Sequence, residues 1–348
     1  MKELSLILFP VISFVICLLL FPLFIKILKG LKWFDPPGTH KIHASSVPSM
    51  GGIAIIFGAS LTLLMALPLQ QWIERKYFFI SVALMFLIGL RDDVLALTPR
   101  QKLLSQFLPV LVTVFLDKVL LISFYEWNDE PLPLYLSYLV SFVTIIVVSN
   151  AYNLIDGIDG LAGAIGVLVL TFLGVWFIQS GYPYDGLIAL CFAGALIAFL
   201  LFNWQPSSIF MGDTGALTIG LILSIFAIRF INLNSGLPLE HPARFSASIS
   251  TAFCILIIPL FDTLRVILIR FRRLQSPFHA DRSHIHHRFL AAGKTHAQAV
   301  IWIAGINVFF MGLAVVMRRQ PDQVLLPIIA IACLLINFAI QRMQKKPA

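Results

Sequence analysis

Residues 4–28 read LSLILFPVISFVICLLLFPLFIKIL, an apolar run in which the only charge, Lys26, lies near the end. As a helix, this run is long enough to cross the roughly 30 Å hydrocarbon layer of a bilayer. Residues 50–69 form a second run of this kind, without any charge. Because a backbone surrounded by lipid must satisfy its own hydrogen bonds, both runs are predicted to be membrane helices.

The whole chain shares this composition. Of its 348 residues, 59% are hydrophobic and only 12% are charged, whereas about a quarter of the residues of a soluble domain are charged. This predicts an all-α polytopic membrane protein with about eleven transmembrane helices, in a single multispan domain over residues 1–348. The predicted spans are Leu4–Leu28, Met50–Leu69, Tyr77–Leu90, Leu103–Phe124, Tyr135–Tyr152, Leu161–Ser180, Gly186–Phe202, Thr214–Ile231, Ser248–Ile269, Ala297–Met317 and Val324–Ile340.

The distribution of basic residues predicts the orientation. Most of the 25 Lys and Arg residues fall in loops on one side of the predicted spans, and the positive-inside rule makes that side cytoplasmic. The N-terminus is then outside and the C-terminus cytoplasmic. The net charge of +8 predicts attraction to anionic lipid headgroups and not to nucleic acid, because the basic residues are spread along a membrane face.

Two acidic segments lie at span ends on the predicted cytoplasmic side. Asp92 and Asp93 follow the third span, and NAYNLIDGIDGLAG at 150–163 places Asp156 and Asp159 three residues apart. Carboxylates at the ends of apolar spans are costly unless they are paired, hydrated or bound to metal, and hard oxygen ligands suit Mg²⁺. The structural alternatives are a solvated acid pair and an Asp-Gly turn.

Two further polar segments lie on the same side. FMGDTGA at 210–216 opens the eighth span, where Asp213 is either a simple helix N-cap or part of an anion-binding helix start. SPFHADRSHIHHR at 276–288 is rich in histidine. Such a tract can bind zinc, but no cysteine accompanies it and its arginines suit phosphate better. A solvated basic loop is the alternative.

These four motifs, in this order and on one face, resemble those of the polyprenyl-phosphate N-acetylhexosamine-1-phosphate transferases. The resemblance covers most of the chain, from Asp35 to about Gly293. It implies an enzyme that transfers a sugar phosphate from a UDP-N-acetylhexosamine to undecaprenyl phosphate with Mg²⁺ or Mn²⁺, at the cytoplasmic face of the bacterial inner membrane. Relatives form dimers, so a homodimer is one candidate, and the sequence leaves the oligomeric state open. His-Ile-His-His after Ala-Asp-Arg resembles the branch that uses UDP-N-acetylglucosamine. The runner-up is the phospho-MurNAc-pentapeptide translocase, whose loop usually ends in three consecutive histidines.

The resemblance also implies roles for individual residues. Catalytic roles fall to Asp92, Asp93, Asp156 and Asp159, and metal binding falls to Asp213 and Asp93. Substrate contacts fall to Asn153, Phe210, Arg282, His284, His286, His287, Lys41 and Asp35. A transporter is the non-enzyme alternative, but transporters place ionisable residues near the bilayer midplane, and here the acids cluster at span ends. The CDP-alcohol phosphotransferases are disfavoured because their Asp-Gly-x-x-Ala-Arg signature is absent.

Overall fold

The computed structural model describes residues 3–31, 47–125, 130–274 and 284–344, and these residues fold almost entirely into α-helices. The helices are α1 (Glu3–Gly30), α2 (Gly51–Ala66), α3 (Leu69–Glu74), α4 (Lys76–Val94), α5 (Pro99–Ser105), α6 (Phe107–Leu111), α7 (Leu134–Leu154), α8 (Leu161–Gln179), α9 (Pro183–Asn203), α10 (Gly212–Gly236), α11 (Ser248–Ile255), α12 (Ile257–Arg272), α13 (Ile285–Ala291), α14 (His296–Val316) and α15 (Asp322–Gln344). A π-helical turn at Val112–Leu116 continues α6. The described ranges hold no β-strand, and the predicted all-α polytopic membrane fold is confirmed.

The described helices include seven or eight candidate membrane spans, depending on how one bent pair is counted. In the described part of the chain, seven helices are long and apolar enough to cross a bilayer, namely α1, α7, α8, α9, α10, α14 and α15. Helices α11 and α12 are bent by 84° at their junction and form an eighth span if counted together. The three other predicted spans fall on the 16-residue α2, on α4 with its charged last turn, and on the broken run α5–α6. The count of eleven therefore stays a prediction.

Helix α10 lies at the centre of the bundle. In its most apolar 18-residue stretch 83% of the residues are buried, against 17% for α1 and 22% for α15. Helices α2, α4, α7 and α8 all pack against it. The peripheral helices instead turn large aliphatic side chains outward, such as Leu19 on α1 and Leu334 on α15. This is the pattern expected where lipid replaces water around the bundle.

Glycine allows α2 to approach α10 at backbone distance. A Cβ atom added to Gly52 would overlap the backbone of Gly215. The start of α2 is also hydrogen-bonded to the segment before α10, with Gly51 N donating to Phe210 O (2.8 Å) and Gly52 N donating to Met211 O (2.9 Å). Close backbone contact between small residues is a main source of helix association in membranes, because the hydrophobic effect does not drive helices together in lipid.

Four charged side chains form a network far from the acidic motifs, which we call the far ion network: Arg75, Asp117, Asp185 and Arg229. The Arg229 guanidinium donates to Asp185 (2.6 Å) and Asp117 (3.2 Å), and Arg75 donates to the other oxygen of Asp185 (2.9 Å). Arg229 lies on α10 about 24 Å along the axis from Asp213. The network therefore ties the residue before α4, the residue after the π-helical turn, α9 and α10 together at the opposite end of the bundle.

Replacing Gly52 by alanine should weaken the α2–α10 contact, because the new methyl group has no space beside Gly215. We expect a loss of about 1–3 kcal/mol, seen as a lower melting temperature of the detergent-solubilised protein. The control is Gly305→Ala on α14, where an added Cβ meets nothing within 4 Å. Equal melting temperatures for the two variants would contradict the close approach of α2 and α10.

Candidate active site

The site begins with a carboxylate that caps a helix from another helix. Asp93, in the last turn of α4, accepts hydrogen bonds from Asp213 N (2.7 Å) and Thr214 N (2.9 Å), the first amides of α10, and from the Thr214 hydroxyl. The residue before α10, Met211, offers no side-chain cap. The first amides of a helix have no partner within the helix, and they favour negative charge. Asp93 supplies both the acceptors and the charge.

Glycine is required at the point where Asp93 meets α10. Gly212 has φ of +72°, a left-handed conformation that side chains rarely adopt, and a Cβ there would lie 2.7 Å from Asp93 Oδ2. The Met-Gly-Asp sequence is therefore explained locally: glycine admits the carboxylate of α4, and Asp213 follows as the first side chain of α10 to face the site.

Asp213 is the centre of a polar cluster that draws on four helices. Its Oδ1 accepts from Asn153 Nδ2 at the end of α7 (2.6 Å) and from Lys102 Nζ on α5. Lys102 Nζ also lies 3.1 Å from Asp92 Oδ2 on α4. We call these four residues, Asp92, Lys102, Asn153 and Asp213, the Asp213 cluster. Asp92, Asn153 and Asp213 were all predicted site residues, and the structure brings them together.

Lys102 is the functional candidate that sequence reasoning missed. In the sequence it is one of many basic residues in the predicted cytoplasmic loops. The local signal was present: Thr98 and Gln101 form a capping box and Pro99 occupies the first turn of α5, so a helix begins there and projects Lys102 from its second turn. Burial lowers the pKa of Lys102, but the carboxylates of Asp213 and Asp92 outweigh this effect, and the net pKa is raised. Lys102 is therefore a permanent cation.

The side chains of the Asp213 cluster differ in how much of their surface is exposed to solvent. The Asp213 side chain is 27% exposed and Lys102 is 20% exposed, whereas Asp92 is 5% exposed. Asp92 Oδ1 accepts from Leu97 N (2.7 Å). Within the part of the chain that the structure describes, the buried Oδ2 makes no aligned hydrogen bond and contacts Lys102 as an ion pair. The cluster therefore opens to solvent on the Asp213 side.

The cluster meets the needs of a divalent cation only in part. Among the described residues, no group of three or more His, Cys, Asp and Glu side chains converges on one point. Mg²⁺, however, is usually held by one or two carboxylates together with substrate phosphates and water. The poorly satisfied Asp92 Oδ2 and the accessible Asp213 carboxylate form such a pair. The oxygens of Asp93 already accept three hydrogen bonds, and its predicted metal role stays a prediction.

A second cluster joins the Asp156–Asp159 loop to the histidine-rich helix α13. A Cβ on Gly157 would lie 2.6 Å from His286 Nε2, so this ring packs directly on the loop backbone. Asp159 Oδ2 lies 3.9 Å from His296 Nδ1 at the start of α14. Burial, together with His287, lowers the pKa of His286 to about 3. His286 is therefore neutral at pH 7.

Of the six other predicted site residues, three lie in the described part of the chain and three do not. His284 hydrogen-bonds Asp262, and the His287 ring lies beside that of His286, with centroids 4.3 Å apart. Phe210 N donates to Pro48 O (2.9 Å), so this residue belongs to the segment before α10 that is hydrogen-bonded to the residues around the start of α2. Asp35, Lys41 and Arg282 lie outside the described residues.

Comparison with known proteins supports the same class. The profile described as glycosyl transferase family 4 matches residues 76–231. A probable undecaprenyl-phosphate N-acetylglucosaminyl 1-phosphate transferase of Bacillus subtilis (strain 168) is 28% identical over 311 residues, 88% of this chain and 84% of that protein. An undecaprenyl-phosphate alpha-N-acetylglucosaminyl 1-phosphate transferase of Yersinia pestis is 27% identical over 319 residues, with the same two coverages. A phospho-N-acetylmuramoyl-pentapeptide-transferase of Clostridium botulinum (strain Eklund 17B / Type B) is 30% identical over 233 residues, 62% of this chain and 71% of that protein.

The fold, the polar helix ends and these similarities define a multispan membrane phosphotransferase. The chain belongs to glycosyl transferase family 4. The predicted family resemblance is thereby confirmed, and so is the prediction of an enzyme. The matched residues contain α4 to most of α10, and thus the whole Asp213 cluster.

Asp93 and Asp213 should respond differently to mutation because one caps a helix and the other faces the site. We expect Asp93→Ala to lose about 1–2 kcal/mol of stability, as for a deleted helix cap, together with activity. Asp213→Asn should lose activity and keep its melting temperature. Thermal melting in detergent and turnover would be measured side by side. Wild-type melting of Asp93→Ala would contradict the capping role.

Proposed function

We propose that this chain transfers N-acetylglucosamine-1-phosphate from UDP-N-acetylglucosamine to undecaprenyl phosphate and releases UMP. The observation that carries the proposal is the Asp213 cluster, which gathers two carboxylates and a lysine at the ends of membrane helices. A polyprenyl chain cannot leave the bilayer, so its phosphate must be met at headgroup level. The relatives from Bacillus subtilis and Yersinia pestis carry this activity in their names, which supports the choice of substrates.

Asp213 and Asp92 are the residues that would hold Mg²⁺ or Mn²⁺. When bound there, the ion would supply charge neutralisation for the donor diphosphate and the departing UMP. Asn153 donates to Asp213 Oδ1 and so holds this carboxylate in one orientation. Lys102, which pairs with both carboxylates in this structure, contributes a positive charge that attracts the donor diphosphate even before the acceptor arrives.

The bond changes follow from the products. An oxygen of the undecaprenyl phosphate attacks the β-phosphorus of the donor, the bond from that phosphorus to the bridging oxygen breaks, and UMP leaves with the electron pair. A phosphate monoester is mostly ionised at pH 7, so activation is chiefly positioning, and proton removal by Asp92 is secondary. A two-step route through an aspartyl intermediate would give ping-pong kinetics, which would reject direct attack.

The second cluster is proposed to hold the sugar end of the donor. His286 is buried against Gly157 and is neutral, so it would act by hydrogen bonding. Asp156 and Asp159 flank this contact on the loop that follows Asn153. The nucleotide and sugar would then lie along one line from the end of α7 to α13.

The site is proposed to face the cytoplasm of a bacterial inner membrane. The basic loops predicted to be cytoplasmic include the one that carries Lys102, and UDP-sugars are made in the cytoplasm. The product would serve as the first lipid-linked intermediate of an O-antigen, common-antigen or teichoic-acid type polysaccharide.

One specific observation favours a second candidate. The Clostridium botulinum relative, at 30% identity, is named as a phospho-N-acetylmuramoyl-pentapeptide-transferase. Transfer of phospho-MurNAc-pentapeptide to the same acceptor would use the same Asp213 cluster and differ only at the sugar. The His-Ile-His-His order of α13, in place of three consecutive histidines, argues for the N-acetylglucosamine donor.

A donor panel tests the proposed function. Purified protein in detergent with undecaprenyl phosphate is supplied with UDP-GlcNAc, UDP-GalNAc or UDP-MurNAc-pentapeptide, and UMP release is measured. We expect UDP-GlcNAc to react at least about tenfold faster than the others, the scale of discrimination by a few hydrogen bonds. Preference for UDP-MurNAc-pentapeptide would establish the second candidate. No acceptor-dependent UMP from any donor would refute both.

Metal removal tests the role given to Asp213 and Asp92. EDTA should abolish UMP release, because the reaction needs the ion that the two carboxylates and the donor phosphates hold together. Added Mg²⁺ or Mn²⁺ should restore UMP release. In Mg²⁺ titrations, Asp92→Asn should need a higher Mg²⁺ concentration than wild type for half-maximal activity. Activity that persists in excess chelator would show that these carboxylates serve another purpose.

A further inference from the structure

A buried carboxylate outside the described clusters holds the start of α13. Asp262, on α12, is 1% exposed. Its Oδ1 accepts from Ile285 N (2.8 Å) and from the Arg265 guanidinium (2.6 Å), and its Oδ2 lies 2.9 Å from His284 Nδ1. Two of these three partners belong to the first residues of α13. The carboxylate thus joins two helices that residues 273–284 separate in the sequence.

The position of α13 depends on this contact. The helix has seven residues, too few to be stable alone, and the side chain of its N-cap residue, His284, makes no capping hydrogen bond. Asp262 supplies the missing acceptor from α12. A buried carboxylate costs free energy unless its oxygens are satisfied, and here the partners from α13 satisfy it. The Asp262 carboxylate and the start of α13 therefore stabilise each other.

His286 connects the start of α13 to the Asp156–Asp159 loop. This residue follows Ile285 immediately, is 2% exposed, and packs its ring on Gly157. A shift at the start of α13 would move this ring relative to the loop. The contact with Asp262 Oδ2 also favours a proton on Nδ1 of His284. In that tautomer, Nε2 on the opposite side of the ring is a hydrogen-bond acceptor.

We propose that Asp262 is a positioning residue for the sugar end of the donor site. It sets the place of α13 and the tautomer of His284, and it does not touch the reacting phosphates. This inference rests on the proposed function, in which α13 holds the donor sugar. It predicts that loss of the Asp262 contact weakens donor binding and leaves the chemistry at the Asp213 cluster largely intact.

The test compares Asp262→Asn with wild type in steady-state kinetics. We expect the KM for UDP-GlcNAc to rise at least about tenfold, the scale on which partners that orient functional histidines act, while kcat falls less than about threefold, because a loss confined to donor binding appears in KM. An unchanged KM, or a fall in kcat without a rise in KM, would overturn the proposal.

The matched control is Asp322→Asn. Asp322 is as buried as Asp262 and accepts from a backbone amide, Ser250 N (2.7 Å), and this hydrogen bond joins α15 to α11. This variant should lose a similar amount of thermal stability and keep the wild-type KM. A similar rise in KM for both variants would show that Asp262 acts only through general stability, and would overturn the proposal.

A second variant keeps the test decisive if Asp262→Asn does not fold. Ile285→Pro removes the amide that donates to Asp262, at the first position of a helix, where proline is well tolerated. The preceding His284 already has φ of −57° and ψ of 152°, a conformation that suits a residue before proline. Its KM for the donor should also rise, and an unchanged KM would overturn the proposal.

The wild-type enzyme separates the two levels of failure. If wild-type protein releases no UMP from any donor in the panel, the proposed function fails. If wild type is active and the Asp262 and Ile285 variants keep its KM, only the positioning role fails. Should UDP-MurNAc-pentapeptide prove to be the donor, the same KM comparison is made with that donor, and the same rise is expected.

Discussion

The carboxylate of Asp93 at the start of α10 is the interaction on which the rest of the site depends. Two of its three contacts satisfy amides that have no partner in their own helix, and the third is with the Thr214 hydroxyl. They also fix the angle at which Asp213 leaves the backbone. Without that anchor, the start of this deeply buried helix would not be fixed, and Lys102 and Asn153 would lose their common partner, Asp213.

The anchor works because the chain reverses direction between neighbouring helices. Helix α4 ends where α10 begins, and α7 ends beside both, so polar residues at three helix ends share one face while the spans stay apolar. Adjacent residues then take different tasks. Successive side chains on a helix point about 100° apart, so Asp93 reaches α10 whereas Asp92 reaches Lys102. One acidic pair thereby provides both a structural cap and a polar wall of the site.

Much of the fold could be predicted from the sequence because hydropathy measures the quantity that matters most in a bilayer. Long apolar runs predicted α1, α8 and α14 well. Hydropathy could not predict the division of α5 and α6, or whether the bent pair α11 and α12 counts as a span, because bends depend on tertiary packing.

The site was predictable by residue type and only partly by role. Charge and spacing singled out Asp92, Asp93 and Asp213, but the same carboxylate can cap, bind or pair, and only its neighbours decide. Lys102 was missed because a lysine in a basic loop is already explained by membrane topology. Asp262 has its partner, His284, 22 residues away, beyond the reach of any local pattern.

The far ion network gives α10 a property that its sequence alone does not suggest. Polar contacts hold the helix at both ends, through Asp93 at its start and through Asp117 and Asp185 near Arg229. The rise of an α-helix is constant, so the separation of these two anchors, about 24 Å, is a fixed length. A bundle held in this way cannot lengthen its central helix, or tilt that helix relative to its neighbours, to suit a thicker bilayer. The surrounding lipid must therefore adapt its thickness to the protein, at a cost of fractions of a kcal/mol per Å.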